Sequence, residues 1–134
     1  MFVHLKTKTI YSLLEGAIFA KALADQCCKF KMPAVGIADR ANLFGALEFS
    51  EVLSDNGIQP IIGCQLPMSF KEANLKKLRV TDRLSMLFLA TNELGYRNLM
   101  ELSSKFFLND SYRFEGMSIG EIDNFSDGLI CLSG

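Results

Sequence analysis

The sequence predicts an α/β fold in which parallel strands alternate with helices. Short apolar runs, at residues 34–39 and 83–92, have the length and composition of buried strands. Amphipathic stretches with helical spacing come before or after them, at residues 17–31, 43–57 and 93–109. A strand–helix–strand order of this kind favours parallel strands joined by right-handed crossovers. Ligands of such folds lie at the carboxyl ends of the strands.

The first half of the chain is predicted to contain three strands and two helices. Ser12 is a candidate helix N-cap with Glu15 three residues on, and Asn56-Gly57 stops the second helix. Prolines stand near both ends of the third strand. In chain order the elements are strand 2–8, helix 17–31, strand 34–39, helix 43–57 and strand 59–68.

The second half is predicted to begin with a charged surface loop and to end on a buried strand. Ser118 and Glu121 form a capping box that starts a short helix. The elements are loop 69–82, strand 83–92, helix 93–109, helix 118–124 and strand 128–134. Because nothing follows the last strand, we expect a domain that is truncated from a longer one.

The amino-acid composition is typical of a globular protein. Of 134 residues, 49% are hydrophobic and 22% are charged, and the formal net charge is −1. This balance argues against a strong basic field for nucleic acid, although it leaves room for a local patch. No apolar run reaches the roughly 18 residues of a membrane span, so we expect no membrane partner. The four cysteines lack CxxC spacing and are interpreted as reduced, structural and cytoplasmic.

Five stretches, read in order, resemble one family. They are FVHLKTKTIYSLLEGAI, MPAVGIADRANLFGALEF, GIQPIIGCQLPM, LATNELGYRNLMELSS and DGLICLSG. Together they resemble the PHP (polymerase and histidinol phosphatase) domain of bacterial replicative DNA polymerase III α subunits. The resemblance implies part of a distorted (β/α)7 PHP barrel. Residues 1–134 would be the N-terminal portion of that domain, within a much longer polymerase subunit.

The resemblance also implies a function for the parent protein. The whole subunit would be a DNA-directed DNA polymerase, a nucleotidyltransferase of chromosome replication, with its catalytic carboxylates outside this chain. The segment itself would be a scaffolding and interaction module. Implied partners are the rest of the subunit, the proofreading exonuclease and other replicase subunits, and DNA through the parent protein. An exposed barrel edge would also allow a homodimer.

The family's metal-ligand positions fall largely on unsuitable residues here. Paired histidines are replaced by Lys6 and Lys8, while Glu15 stays acidic. A third histidine is replaced by Arg40, beside a retained Asp39. A strand-end glutamate and a further histidine fall on Gln65 and Ser85.

These replacements predict a vestigial site with no metal, no cofactor and no catalytic residue in this segment. A protonated lysine has no lone pair for a metal, and fixed cations can neutralise carboxylates as a metal would. Two other interpretations of Lys6, Lys8 and Arg40 stay open: a pocket for phosphate or a nucleic-acid backbone, and plain solvated surface. The alternative function is a PHP-type metal-dependent phosphoesterase with an altered site. A third hypothesis is a free-standing small α/β protein.

The remaining candidates have structural interpretations. His4 is expected to be a hydrogen-bonded core or rim residue, and Cys64 and Cys131 to be buried rather than reactive. Asn42 is expected to cap the second helix. An exposed aromatic patch is expected from Phe106, Phe107, Tyr112 and Phe114.

Overall fold

The structure, a computed structural model, describes residues 2–69 and 84–133. They form an α/β fold with a mixed sheet, and the chain divides into two compact units, residues 1–64 and 65–134. The predicted loop at 69–82 lies almost wholly outside the described residues. The elements are α1 (Ala20–Lys29), β1 (Ala34–Arg40), α2 (Ala46–Asp55), β2 (Gln59–Ser69), β3 (Ser85–Ala90), α3 (Glu93–Leu108), α4 (Asp110–Glu115), β4 (Met117–Ser118), α5 (Ile119–Asp123) and β5 (Leu129–Ser133).

The first unit packs α1 and α2 around a core that includes β1. Helix α1 buries Leu23, Ala24 and Cys27, which share one face at helical spacing. Helix α2 buries Phe49 and Leu53 four residues apart. The full buried cluster is Ala20, Leu23, Ala24, Cys27, Val35, Ile37, Phe49, Leu53 and Ile58. This packing holds β1 in place, and β1 ends at Arg40 in the candidate site.

The N-terminal segment runs beside β1 without forming the predicted strand 2–8. Its contact with β1 is an isolated parallel bridge between Thr7 and Ile37. Thr7 N donates to Gly36 O at 3.1 Å, and Gly36 N donates to His4 O at 2.6 Å. A Cβ at position 36 would lie 2.6 Å from Leu5 O, so glycine permits this close approach.

The second unit contains the antiparallel pair that makes the sheet mixed. Strand β3 pairs with β5 in a register from Met86↔Ser133 to Ala90↔Leu129. The expectation of parallel strands throughout is therefore wrong for β5. The connection from β3 to β5 is not a single crossover helix, because α4, β4 and α5 intervene and β4 itself pairs with β2 in parallel. This extra excursion lets the chain return in the opposite direction.

The sheet does not close within residues 2–69 and 84–133. The strand order is β1-β2-β3-β5, and β4 pairs with β2 off this path. Strand β5 stands at one end of the order β1-β2-β3-β5. No helix in the described part of the chain has the length and apolar character needed to span a bilayer.

The predicted start of α5 and the predicted stop of α2 at Asn56-Gly57 are confirmed, whereas the predicted cap of α2 is wrong. Ser118 caps α5 by accepting from Glu121 N at 3.2 Å, as predicted. Asn42 does not cap α2, whose N-cap is Gly45; Asn42 Nδ2 instead donates to Tyr11 O at 3.1 Å. The last strand was expected to be buried, but three of its five residues are exposed. Helix α4 and strand β4 were not predicted.

Candidate degenerate metal site

Glu15 is held by two cations at the end of β1. Lys8 Nζ contacts Glu15 Oε2, and Arg40 Nη1 donates to Glu15 Oε1 at 2.5 Å. Glu15 lies on a turn in which its own N–H and that of Gly16 donate to Ser12 O. The side chains of Lys8, Glu15 and Arg40 are 27%, 27% and 32% exposed. Both carboxylate oxygens are therefore engaged in a partly desolvated cluster.

The electrostatics of this cluster favour the ionised carboxylate. The hydrogen bond from Lys8 lowers the pKa of Glu15, burial acts in the opposite direction, and the hydrogen bond from Arg40 lowers the pKa further. The net effect is a pKa below the ordinary glutamate value. A divalent ion that approached Glu15 would have to displace two positive charges that already bind its oxygens.

Asp39 is the centre of a separate, buried network. It is 4% exposed, and it accepts from Thr9 N at 2.7 Å, Thr9 Oγ1 at 2.6 Å and Ser12 Oγ at 2.6 Å. Ser12 Oγ in turn accepts from Arg40 N at 3.1 Å. The carboxylate thus fastens residues 9–12 to the end of β1 through uncharged donors.

The roles of Thr9 and Ser12 are not apparent from the sequence. Ser12 was interpreted as a helix N-cap, yet no helix begins there and its side chain is buried against Asp39. Thr9 is completely buried and was not singled out. Their hydroxyls donate to a carboxylate that lies 30 and 27 residues later in the chain. No local sequence pattern distinguishes such hydroxyls from those of ordinary turn residues.

Lys6 differs from Lys8 in its surroundings. Its side chain is exposed, and it has no ion-pair partner among residues 2–69 and 84–133. It lines an open groove of about 870 Å³ together with His4, Lys8 and residues of α1. Lys6 is thus part of a groove surface, while Lys8 and Arg40 bind Glu15.

Gln65 and Ser85 contact each other in the second unit. Gln65 Nε2 donates to Ser85 Oγ at 2.6 Å. Gln65 is 8% exposed, and its Oε1 is buried without a hydrogen-bond partner in the described part of the chain. A neutral amide and a hydroxyl at these positions supply weak metal donors, in contrast to carboxylate and imidazole.

These donor sets do not fit the metal centre that the family resemblance implies. Within residues 2–69 and 84–133, no three His, Cys, Asp or Glu side chains are grouped to hold a metal ion. Lysine and arginine side chains are donors only. The Glu15 oxygens are bound by Lys8 and Arg40, and the Asp39 oxygens accept from Thr9 and Ser12.

The predictions for the cysteines and for His4 are confirmed in part and wrong in part. All four cysteines are free, and burial raises the pKa of Cys64 to about 12. Cys131 was expected to be buried but is exposed. A core position for His4 is wrong because His4 is exposed, while a position at the rim stays a prediction; its ring packs edge-on against Phe2 with centroids 4.6 Å apart.

The predicted aromatic patch is only partly exposed. Phe107 and Phe114 are 46% and 66% exposed, as expected for such a patch. Phe106 is half-buried and packs edge-on against Phe107. Tyr112 is half-buried, and its hydroxyl donates a hydrogen bond to the Glu121 carboxylate. The patch is therefore smaller than the sequence suggests.

The profile of the PHP domain matches residues 4–134, almost the whole chain. The chain belongs to the PHP domain family. The family assignment agrees with the resemblance seen in the five sequence stretches, and the matched region includes every position of the candidate site.

The chain is similar to DNA polymerase III α subunits. The subunit of Caulobacter vibrioides is 46% identical over 134 residues, and that of Borreliella burgdorferi is 36% identical over 134 residues. These matches cover 99% and 98% of this chain but only 12% of either relative. The chain therefore spans about an eighth of the length of these relatives.

A solved structure supports the fold. It is that of a protein from Bifidobacterium adolescentis described as a metal-dependent phosphoesterase, with a TM-score of 0.58 and 20% sequence identity. The match covers 84% of this chain and 34% of that one. At this identity the likeness concerns the PHP fold alone.

Proposed function

We propose that this PHP chain is a metal-free scaffolding segment of a replicative DNA polymerase III α subunit. The observation that carries the proposal is the engagement of both Glu15 oxygens by Lys8 and Arg40. These two ion pairs do the structural work of a bound metal, because they join the Glu15 turn to the ends of two neighbouring segments. The identity of the relatives as polymerase α subunits supports the assignment to that parent protein.

In this proposal the chain forms the N-terminal portion of a distorted (β/α)7 barrel within a cytoplasmic polymerase subunit. The barrel supports the polymerase body and provides surfaces for the proofreading exonuclease and other replicase subunits. DNA synthesis depends on residues outside this chain. The vestigial positions are Lys6, Lys8, Glu15, Asp39, Arg40, Gln65 and Ser85.

A second function is supported by the fold neighbour. A PHP-type phosphoesterase with an altered site would use metals to make hydroxide and to bind phosphate oxygens. The solved relative described as a metal-dependent phosphoesterase supports this alternative at the level of the fold. The donor chemistry of the site favours the scaffold, since Lys8 and Arg40 stand beside the one carboxylate that is not buried in the Asp39 network.

The test measures metal content and hydrolysis together. The chain is purified without chelators, its metal content is determined by plasma mass spectrometry, and a generic phosphoester is offered with and without Mn²⁺. We expect less than stoichiometric metal and no hydrolysis above buffer. Stoichiometric zinc or manganese, with hydrolysis that disappears on substitution of Glu15, would establish the phosphoesterase.

A further inference from the structure

Four large apolar side chains of the first unit are exposed at the start of α2 and in the turn of residues 10–15. Phe44 and Leu47 are 71% and 72% exposed. In the turn, Leu13 is 86% exposed and Leu14 is fully exposed. Single exposed apolar side chains are normal on a protein surface, whereas several that lie together mark an interaction site. We call these four residues the α2 patch.

Contacts of Tyr11 hold the turn against the start of α2. Asn42 Nδ2 donates to Tyr11 O at 3.1 Å, and Tyr11 Oη donates to Glu48 Oε2 at 2.8 Å. A Cβ at Gly45 would lie 2.8 Å from the Tyr11 ring, so the ring packs directly on the backbone there. Both leucines of the patch lie within three residues of Tyr11, and its other two members lie within two residues of Gly45. The two halves of the patch therefore border one contact.

The turn that carries the two leucines is fixed rather than loosely attached. Ser12 O accepts from the N–H groups of Glu15 and Gly16, and Ser12 Oγ donates to Asp39 at 2.6 Å. Within this frame Leu14 has a φ of 63°, in the left-handed region that side chains other than glycine rarely adopt. Backbone strain of this kind persists where the surrounding structure imposes it, and it is concentrated at binding sites. Here it keeps an apolar side chain in contact with water.

The exposed face of α2 beside the patch is acidic. Glu48, Glu51 and Asp55 are all exposed, at positions i, i+3 and i+7 of the helix. Residues 41–64 contain these three acidic side chains and no lysine or arginine, so their formal charge is −3. This charge repels nucleic acid and anionic membranes and attracts a basic partner. A complementary surface therefore combines apolar side chains with lysine or arginine.

We propose that the α2 patch and the acidic face of α2 together dock a basic amphipathic helix of a partner protein. Leu47 and Asp55 are eight residues apart, so about 12 Å of the α2 axis is available, which is slightly more than two helical turns. Apolar side chains of the partner, at helical spacing, contact the patch. Its lysine or arginine side chains, one or two turns further along, pair with Glu51 and Asp55. The inference adds a docking surface to the proposed scaffold function and rests on that function.

The test is fluorescence anisotropy of the 134-residue chain with a labelled peptide of about 18 residues that has leucine on one helical face and lysine elsewhere. At low ionic strength we expect saturable binding with a Kd of about 10⁻⁵ M, because the surface is small. One control peptide has glutamate in place of lysine, and another has the leucines and lysines in scrambled order. Both should bind at least about tenfold more weakly, since they lack the charge or the apolar face.

Matched variants locate the surface. Leu47→Gln should weaken binding by about fivefold or more at any salt concentration. Glu51→Gln should weaken it by about two- to fivefold at low salt and should have no effect at high salt, because exposed charges are screened. The controls on α3 of the second unit are Leu94→Gln and Glu101→Gln, which replace an exposed leucine and an exposed glutamate. Both controls should bind like the parent chain, and circular dichroism establishes that each variant is folded.

Three results would overturn the inference. The first is no saturable binding of the leucine–lysine peptide, or equal binding of the scrambled one. The second is equal loss of binding in the α2 and control variants, which indicates a diffuse effect of charge and hydrophobicity. The third is self-association of the chain in analytical ultracentrifugation that Leu47→Gln abolishes, which assigns the patch to a second copy of the chain.

Failure of the docking surface is distinguishable from failure of the proposed function. A chain that holds no stoichiometric metal, does not hydrolyse phosphoesters and does not bind the peptide contradicts the docking surface alone. Stoichiometric metal with hydrolysis contradicts the metal-free scaffold whether or not the peptide binds.

Discussion

Replacement of Glu15 by glutamine tests whether the two ion pairs stabilise the fold. Glu15→Gln keeps the size of the side chain and removes the charge that Lys8 and Arg40 share. The two cations are then left close together without an intervening anion. Because the three side chains are only 27–32% exposed, water compensates for this loss incompletely.

The expected loss of stability is about 2 kcal/mol. A fully exposed ion pair contributes about 0.2–1 kcal/mol, and a hydrogen bond to a charged group about 1.5–3 kcal/mol. The partial burial of both pairs places each contact at about 1 kcal/mol, so two contacts give about 2 kcal/mol. For a chain of 134 residues this corresponds to a fall in Tm of about 7 °C.

The effect has a defined dependence on pH. The hydrogen bond from Lys8 lowers the pKa of Glu15 in the folded state relative to the unfolded chain. Burial acts in the opposite direction, and the hydrogen bond from Arg40 lowers the pKa further. A lowered folded pKa gives stability that is fully present above the unfolded glutamate pKa of about 4.3. That stability is lost as pH falls through the folded pKa. The difference between parent and variant should therefore be largest at neutral pH and should vanish in acid.

Urea denaturation at neutral and acidic pH measures this difference. The control is Glu93→Gln, which removes an exposed i,i+4 pair with Arg97 and should cost no more than about 0.5 kcal/mol. Equal stability of Glu15→Gln and the parent at neutral pH would show that the pairs contribute nothing to folding. A difference that persists in acid would refute the electrostatic explanation.

Three further predictions concern buried groups. Asp39→Ala should cost about 3 kcal/mol or more, measured by urea denaturation, because it leaves three donors from Thr9 and Ser12 without their acceptor. Gln65→Met should change stability by no more than about 1 kcal/mol in the same assay, because removal of a buried oxygen that has no partner among residues 2–69 and 84–133 offsets the lost hydrogen bond to half-buried Ser85. A thiol reagent at mildly alkaline pH should label two cysteines of the folded chain, Cys28 and Cys131, since burial protects Cys27 and Cys64.

Each of these predictions has a control and a contradicting result. Asp55→Ala, at an exposed position of α2, is the control for Asp39, and a loss below about 1 kcal/mol at Asp39 would contradict the role of its network. Gln59→Met, at an exposed position of the same strand, is the control for Gln65, and a loss above about 2 kcal/mol would reveal a partner for Oε1. Rapid labelling of all four thiols before denaturation would contradict the cysteine prediction.

Local patterns predicted those features that depend on neighbouring residues. Helix α3 begins where Asn92 accepts from Gly95 N at 2.9 Å, close to the predicted start, and Ser118 caps α5. Such caps act within one helical turn, so sequence suffices to recognise them. Strands β1 and β2 were also found within a residue or two of their bounds.

Features that depend on distant residues were not predictable. The antiparallel direction of β5 follows from the excursion through β4, which pairs with β2 residues almost fifty positions earlier. The attachment of Thr9 and Ser12 to Asp39 likewise joins segments 27 and 30 residues apart. The positions of Lys8, Glu15 and Arg40 were expected to be neighbours from a family resemblance, not from periodicity or spacing. Their contacts with one another are a finding of the structure.

The ion pairs of Glu15 with both Lys8 and Arg40 constrain which substitutions can free its carboxylate. A histidine introduced at position 8 would leave Arg40 on the same carboxylate, and one introduced at position 40 would leave Lys8. Each single substitution therefore frees one Glu15 oxygen and leaves the other bound by a cation. In the proposed metal-free scaffold, freeing both Glu15 oxygens therefore takes two substitutions, one at position 8 and one at position 40.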